Sequence, residues 1–199
     1  MKKNNNNKMN SFTPRTNNWI KEICFENELS FISYKRKNDF IHVSNVELDL
    51  EIKRQTVIKF VPVISQELFN TKKEWIYLFT INDKIVKIGG TRNGLKDRCG
   101  SYLCGHHIKE RGKKEKSSIT NRYIYNTFDY YLQNKAEIKM YAKELKPIKI
   151  KKKILDQDIE ILTQTYHAYE SVYLNDFKIN YNHKFPILNN NCDPNKNYK

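Results

Sequence analysis

The chain has 199 residues, and 36 Lys and Arg against 22 Asp and Glu leave a net charge of +14. That length suits one compact domain, which buries roughly 70% of the surface its unfolded chain exposes and needs no disulfides. The charge points to a phosphate-rich partner or an anionic surface, while a membrane span is excluded because no apolar run approaches the roughly 18 residues it requires.

In chain order, Met1-Lys2-Lys3 is followed by four Asn where a secretory leader would carry its apolar stretch, so no leader is expected. The four cysteines (Cys24, Cys99, Cys104, Cys192) are scattered and call for no oxidising compartment. The expectation is a cytoplasmic protein. Residues 1–18 are Asn- and Lys-rich with little to bury and read as a disordered tail. From Trp19 the composition becomes globular, and residues 19–73 form an N-terminal extension. Within it, Trp19, Ile20, Ile23, Phe25, Leu29, Phe31 and Ile32 suggest one or two short amphipathic elements. Residues 40–43 and 57–64 read as strand-like runs, with Pro62 marking an edge or a strand end.

The informative stretch begins at Trp75. Residues 75–81 (WIYLFTI) and 85–89 (IVKIG) read as two strands joined by the turn-forming Asn82-Asp83-Lys84. A three-residue loop sets Tyr77 opposite Gly89 and puts Tyr77 and Lys87 on one face as diagonal neighbours, whereas a two-residue loop separates their faces. A helix is expected over 94–103, with Leu95, Cys99 and Leu103 as its apolar stripe. Arg98 and Tyr102, four apart, share the flank beside that stripe.

A polar, basic insertion follows at about 105–118, then a helix over 120–133, an alternating strand-like segment over 136–145 and a basic linker over 146–153. The last helix is expected over 156–177, where Ile159, Leu162, Tyr166, Tyr169, Tyr173 and Phe177 repeat at helical period. Glu170 projects only about 40° from the centre of that apolar face, where a carboxylate is costly unless a charge meets it.

In order, Trp75-Ile76-Tyr77, Lys87-Ile88-Gly89, Arg98 with Tyr102, Glu170, and Asn189 after Pro186-Ile187-Leu188 resemble the GIY-YIG nucleases. The resemblance covers roughly residues 74–190, with residues 191–199 as a C-terminal tail. Two positions depart from the signature: Trp75 stands for the first Gly and Lys87 for the Tyr of the second triplet. Some restriction endonucleases of this superfamily carry Lys there, and the chain looks most like them. The resemblance implies an α+β fold, with a small three-stranded antiparallel sheet flanked by helices. It also implies hydrolysis of DNA phosphodiesters with one divalent metal, Mg2+ or Mn2+.

On this reading Tyr77 is the general base. Its ordinary pKa lies about three units too high for neutral pH, or about 4 kcal/mol. An ammonium at about 4 Å supplies roughly that much at an effective dielectric near 20, which gives Lys87 a task. Glu170 holds the metal, which keeps several waters and takes one or two protein carboxylates. Arg98 neutralises the phosphate, Tyr102 orients it or the water, and Asn189 positions Tyr102 or a metal-bound water.

DNA contacts are expected from Arg92, Lys96, His106, His107, Lys109, Arg111, Lys113, Lys114 and Arg122. Such residues give affinity through phosphate neutralisation before any base is read. A zinc site at Cys99, Cys104, His106 and His107 is disfavoured by its spacing and by the place of Cys99 on the apolar stripe. Double-stranded DNA is the expected partner and a homodimer the expected assembly. The function expected is a sequence-specific Type II restriction endonuclease. The alternatives are another GIY-YIG nuclease (repair, phage defence or nickase) and a non-catalytic DNA-binding protein on this scaffold.

Overall fold

A computed structural model of the chain describes residues 25–50, 57–104, 119–181 and 183–189. The tail over 1–18, residues 19–24, the basic insertion and residues 190–199 lie outside the described residues. With the insertion go His106, His107, Lys109, Arg111, Lys113 and Lys114.

After turns over residues 25–36 and a single 3-10 turn at Lys37–Asp39, strand β1 spans Ile41–Leu48 and pairs antiparallel with β2, Ile58–Pro62. Pro62 closes β2 at the sheet's edge, where its missing N–H deprives no ladder. A short helix α1, Gln66–Asn70, follows, capped by the Ser65 hydroxyl accepting from the Leu68 N–H at 3.2 Å. Strands β3 (Trp75–Ile81) and β4 (Lys84–Thr91) form the expected hairpin. Helix α2 covers Leu95–Leu103 and α3 covers Ile119–Gln133, and β5 covers Ile138–Glu144.

The sheet has five strands in the order β2-β1-β5-β3-β4, not the three expected. The difference lies in residues 41–62. β1 aligns beside β5, with Val46 opposite Ile138 and Ile41 opposite Ala142, and so joins the N-terminal extension to the core sheet. Pairing across nearly a hundred residues leaves no local mark in sequence.

The hairpin register also departs from expectation in its route, though not in its result. The loop has two residues, Asn82 and Asp83, both at positive φ (47° and 66°), as a type I′ turn requires. That turn sets Ile81 opposite Lys84, and Thr80 faces Ile85, yet Phe79 faces Lys87 and Tyr77 faces Gly89. Val86 is therefore an extra residue, a β-bulge that restores the parity lost at the turn. Tyr77 and Lys87 end on one face as expected, by compensation.

The segment over 146–164 differs more. Strand β6 (Ile148–Ile154) pairs with β7 (Gln157–Thr163) in a separate two-stranded sheet, where a linker and the start of a helix were expected. Leu155 and Asp156, at φ 48° and 63°, make a second two-residue turn. The helix α4 covers only Tyr166–Asn180. The β-branched residues at 148, 150, 154, 159 and 161 alternate with polar ones, a period of two that competes with the helical spacing and prevails.

Two apolar clusters sandwich the sheet. Tyr77, Phe79, Ile81 and Val86 pack on one face with Leu95, Cys99 and Tyr102 of α2 and Ile124 and Phe128 of α3. On the other face, Ile76, Leu78, Ile85 and Ile88 meet Tyr173 and Phe177 of α4 together with Tyr34 and Phe40. Among the described residues, no helix is long and apolar enough to cross a membrane.

Candidate active site

β4 is an edge strand, so its outward backbone groups need partners from elsewhere. Three come from distant parts of the chain. The Leu188 N–H donates to the Val86 carbonyl at 2.8 Å. The Asn189 side-chain amide takes both groups of Ile88, accepting from its N–H at 2.8 Å and donating to its carbonyl at 2.6 Å. Glu170 Oε2 accepts from the Gly90 N–H at 3.0 Å.

Gly89 and Gly90 make this edge approachable from both faces. A Cβ on Gly89 would overlap the Tyr77 phenol, whose Cζ would lie only 2.6 Å away. A Cβ on Gly90 would meet Tyr166 Cδ2 at 2.9 Å and Glu170 Oε2 at 3.0 Å. The phenol therefore lies across one glycine on the α2 face, while the carboxylate closes on the next from α4. Two side chains from opposite faces thus reach a common stretch of edge.

On the α2 face, Arg98 and Tyr102 meet Tyr77 as their i,i+4 spacing allows. Arg98 Nε donates to Tyr77 Oη at 2.7 Å and Nη2 donates to Tyr102 Oη at 2.8 Å. The two hydroxyls share a further hydrogen bond of 2.7 Å. The guanidinium carbon also lies 4.4 Å from the Tyr102 ring centroid. Both tyrosines are fully buried.

Burial pushes the Tyr77 phenol above its ordinary pKa. Arg98 and the Tyr102 hydrogen bond pull it down, and the charge of Glu170 pushes it up again. Tyr102 is raised well above the ordinary range by burial and by its neighbour Tyr77. For Arg98, burial opposes the charge, but the two phenol oxygens outweigh it and hold the guanidinium protonated. At neutral pH the cluster is two neutral phenols around one cation.

The structure thus brings together Tyr77, Arg98 and Tyr102 by direct hydrogen bonds, and Glu170 by its field on Tyr77. Lys87 is buried, 6% exposed, on the Tyr77 face. The guanidinium of Arg98 is a cation hydrogen-bonded to the phenol. Asn189 spends its amide on Ile88 and so bears on the strand beneath Tyr77 rather than on Tyr102. Arg92 and Lys96 are exposed, with Arg92 Nη1 donating to Gln164 Oε1 at 3.2 Å, and Arg122 is half-buried.

Sequence reasoning missed the residues that hold α4. Glu74 Oε2 accepts from both the N–H (2.9 Å) and the hydroxyl (2.8 Å) of Thr165, at the start of α4. One turn beyond Glu170, the Tyr173 hydroxyl donates to Asp39 at 2.5 Å and accepts from Lys143 Nζ at 2.9 Å. These contacts join elements far apart in the chain and carry no motif. The Gly89-Gly90 pair was the readable sign of close approach.

Glu170 Oε2 is engaged by Gly90, and Oε1 takes no hydrogen bond among the described residues. No group of three or more His, Cys, Asp or Glu clusters among the described residues. A lone carboxylate with one oxygen anchored and the other available fits a hard divalent cation that keeps most of its waters, and does not fit a zinc site.

No protein-family model and no curated protein matches the chain. The α+β fold resembles that of solved structures. The chain resembles a restriction endonuclease, HPY188I, in complex with product DNA, with a TM-score of 0.52 and 22% identity over 82% of this chain and 87% of that one. A mutant of bacteriophage T4 EndoII superposes with a TM-score of 0.45 and 23% identity over 70% of this chain and 88% of that one.

Proposed function

We propose that this protein is a DNA endonuclease that hydrolyses phosphodiester bonds with one divalent metal. In its narrower form the reading is a sequence-specific Type II restriction endonuclease of the GIY-YIG kind, acting on double-stranded DNA as a homodimer. The observation that carries it is the meeting of a buried Tyr77–Arg98–Tyr102 cluster with the Glu170 carboxylate across two adjacent glycines of an edge strand. A fold shared with a restriction endonuclease supports it.

The roles follow from the chemistry of the groups. Glu170 would hold Mg2+ or Mn2+, with the Gly90 N–H keeping its carboxylate oriented. A divalent cation there would supply a Lewis acid for the scissile phosphate. Arg98 is held planar against two phenol oxygens and keeps its charge, so it neutralises the phosphate without reorganising. Tyr77 would take a proton from the attacking water as the phenolate, its own proton having first left to solvent. Because burial raises its pKa, that role needs added positive charge, from Arg98 and from Lys87. Tyr102 holds Arg98 and Tyr77 in register, and Asn189 fixes the strand on which they rest.

Arg92, Lys96 and Arg122, with His106, His107, Lys109, Arg111, Lys113 and Lys114 of the insertion, are the proposed DNA contacts. Affinity should fall steeply with salt. The test is incubation of the protein with a large unmethylated DNA and Mg2+. Discrete fragments support the restriction reading, and a smear supports a non-specific nuclease. Nicked circles indicate a nickase, and intact DNA with a gel shift reduces the protein to a binder.

A further inference from the structure

Glu170 sits between two anchors of α4, and they differ in kind. Toward the C-terminal half, Tyr173 and Phe177 are buried in the apolar cluster on that face of the sheet. Tyr173 adds hydrogen bonds with Asp39 and Lys143. Residues 166–172 include no buried side chain, and Glu170 among them is half-buried. On the N-terminal side the buried residue next to this stretch is Thr165, 8% exposed.

Thr165 is fixed from outside its own helix. Its side chain makes no capping bond to α4, and no acidic residue stands in the first turn. The positive end of the helix therefore gets no matching charge from its own sequence. Glu74 brings a carboxylate there. Its Oε2 accepts from the Thr165 N–H at 2.9 Å and from the Thr165 hydroxyl at 2.8 Å. Glu74 is itself held, since its carbonyl accepts from the Leu145 N–H at 2.9 Å and the next residue begins β3. Tyr77 lies three residues further along that strand.

Leverage shows what the N-terminal anchor does. Thr165 and Tyr173 stand about 12 Å apart along a helix that rises about 1.5 Å per residue. Fastened at Tyr173 and Phe177 alone, α4 is held over one turn and can pivot about it. The half-buried Tyr166 ring also rests on the cluster, but apolar contact is non-directional. Two directional bonds at Thr165 fix the line of the helix, and with it the 3.0 Å approach of Glu170 Oε2 to the Gly90 N–H.

We infer that Glu74 is a positioning residue of the candidate active site: by fastening the first turn of α4 to the start of β3, it sets Glu170 against the edge of β4. Its consequence for metal binding rests on the role proposed above for Glu170, whereas the placement of Glu170 does not.

The test uses the full chain without DNA. Amide exchange at Gly90 reads the Glu170 contact. Ile88, whose N–H is taken by Asn189 on the same edge, is the internal reference. Glu74→Ala is expected to speed Gly90 relative to Ile88 by about tenfold or more. Glu74→Gln keeps an acceptor oxygen and should leave that ratio within about threefold of wild type. Mn2+ affinity by calorimetry should follow, falling about tenfold or more in Glu74→Ala and by less than about threefold in Glu74→Gln.

Equal acceleration of Gly90 and Ile88 in Glu74→Ala, the mark of general loosening, overturns the inference. So does a Glu74→Gln protein that behaves as Glu74→Ala in either measurement, since charge and not a placed acceptor would then act. Should Glu74→Ala fail to fold, Glu74→Asp decides, because it keeps the charge on an arm one methylene shorter. An exchange ratio raised about threefold or more supports the inference, and an unchanged ratio overturns it. A wild type that takes up no Mn2+ overturns the metal role of Glu170, and the exchange ratios still decide the role of Glu74.

Discussion

Replacing Tyr102 by Phe isolates what holds the candidate site together, whatever reaction the site performs. The change removes one fully buried oxygen. That oxygen accepts from Arg98 Nη2 at 2.8 Å and shares a hydrogen bond of 2.7 Å with Tyr77. The ring and its packing against Phe79 remain. What is left is a guanidinium N–H without its acceptor in a buried place. A hydrogen bond to a charged group contributes about 1.5–3 kcal/mol, and an orphaned buried donor costs a similar amount. The expected loss is about 2 kcal/mol, or roughly 4–8 °C in Tm for a chain of this size. Urea unfolding should show a lower midpoint with an unchanged m-value. The Tyr77 phenol should also titrate at higher pH, since the hydrogen bond from Tyr102 stabilises its phenolate. A loss below about 0.5 kcal/mol, within the range of an ordinary surface change, together with an unmoved Tyr77 titration, would refute the three-way hydrogen-bonded cluster.

Glu170→Gln keeps an oxygen for the Gly90 N–H, so Tm should move by less than about 2 °C. Metal binding by calorimetry and DNA cleavage should fall by about a hundredfold or more; retained cleavage would remove Glu170 from the site. Gly89→Ala drives a methyl into the Tyr77 phenol and is expected to cost about 1–3 kcal/mol, along with the ring's hydrogen bonds, as read by near-UV circular dichroism and thermal melting. Both site tyrosines have raised pKa values, so above pH about 10 the unfolded chain loses protons that the folded phenols retain. Stability from these groups is full below that pH and falls as pH rises through the folded values, and Tyr102→Phe should flatten the alkaline limb of a stability–pH curve. Asn189→Ala leaves both backbone groups of Ile88 open on the edge strand and should cost about 1–3 kcal/mol, measurable by urea denaturation and by faster amide exchange at Ile88.

The sequence by itself determined whatever rests on spacing along one element. Arg98 and Tyr102 share a helix flank because they are four apart, and the helix around them falls within a residue of expectation. The hairpin at 75–91, the strand at 138–144 and the place of Pro62 were legible for the same reason: each is set by local period or by a missing N–H. Glu170 stood out as a carboxylate beside an apolar stripe, and the structure gives it the Gly90 N–H.

The tertiary structure alone decided what depends on distant pairing. The fourth and fifth strands exist because β1 finds β5, which pairs an edge of β5 that a three-stranded sheet would leave open. The bulge at Val86 decides which face Lys87 takes, and it follows from a two-residue turn meeting the packing needs of two cores. Residues 157–163 satisfy helical and strand periods alike, and the lysine-rich strand beside them settles the matter by cross-strand pairing. Which cation touches Tyr77 was also beyond the sequence. The sequence reading assigned Arg98 to the phosphate, and the packing of α2 against the sheet brings its guanidinium to the Tyr77 hydroxyl. Local periods are written in neighbouring residues, whereas register, edge cover and charge contacts are set by the lowest-energy packing of whole elements.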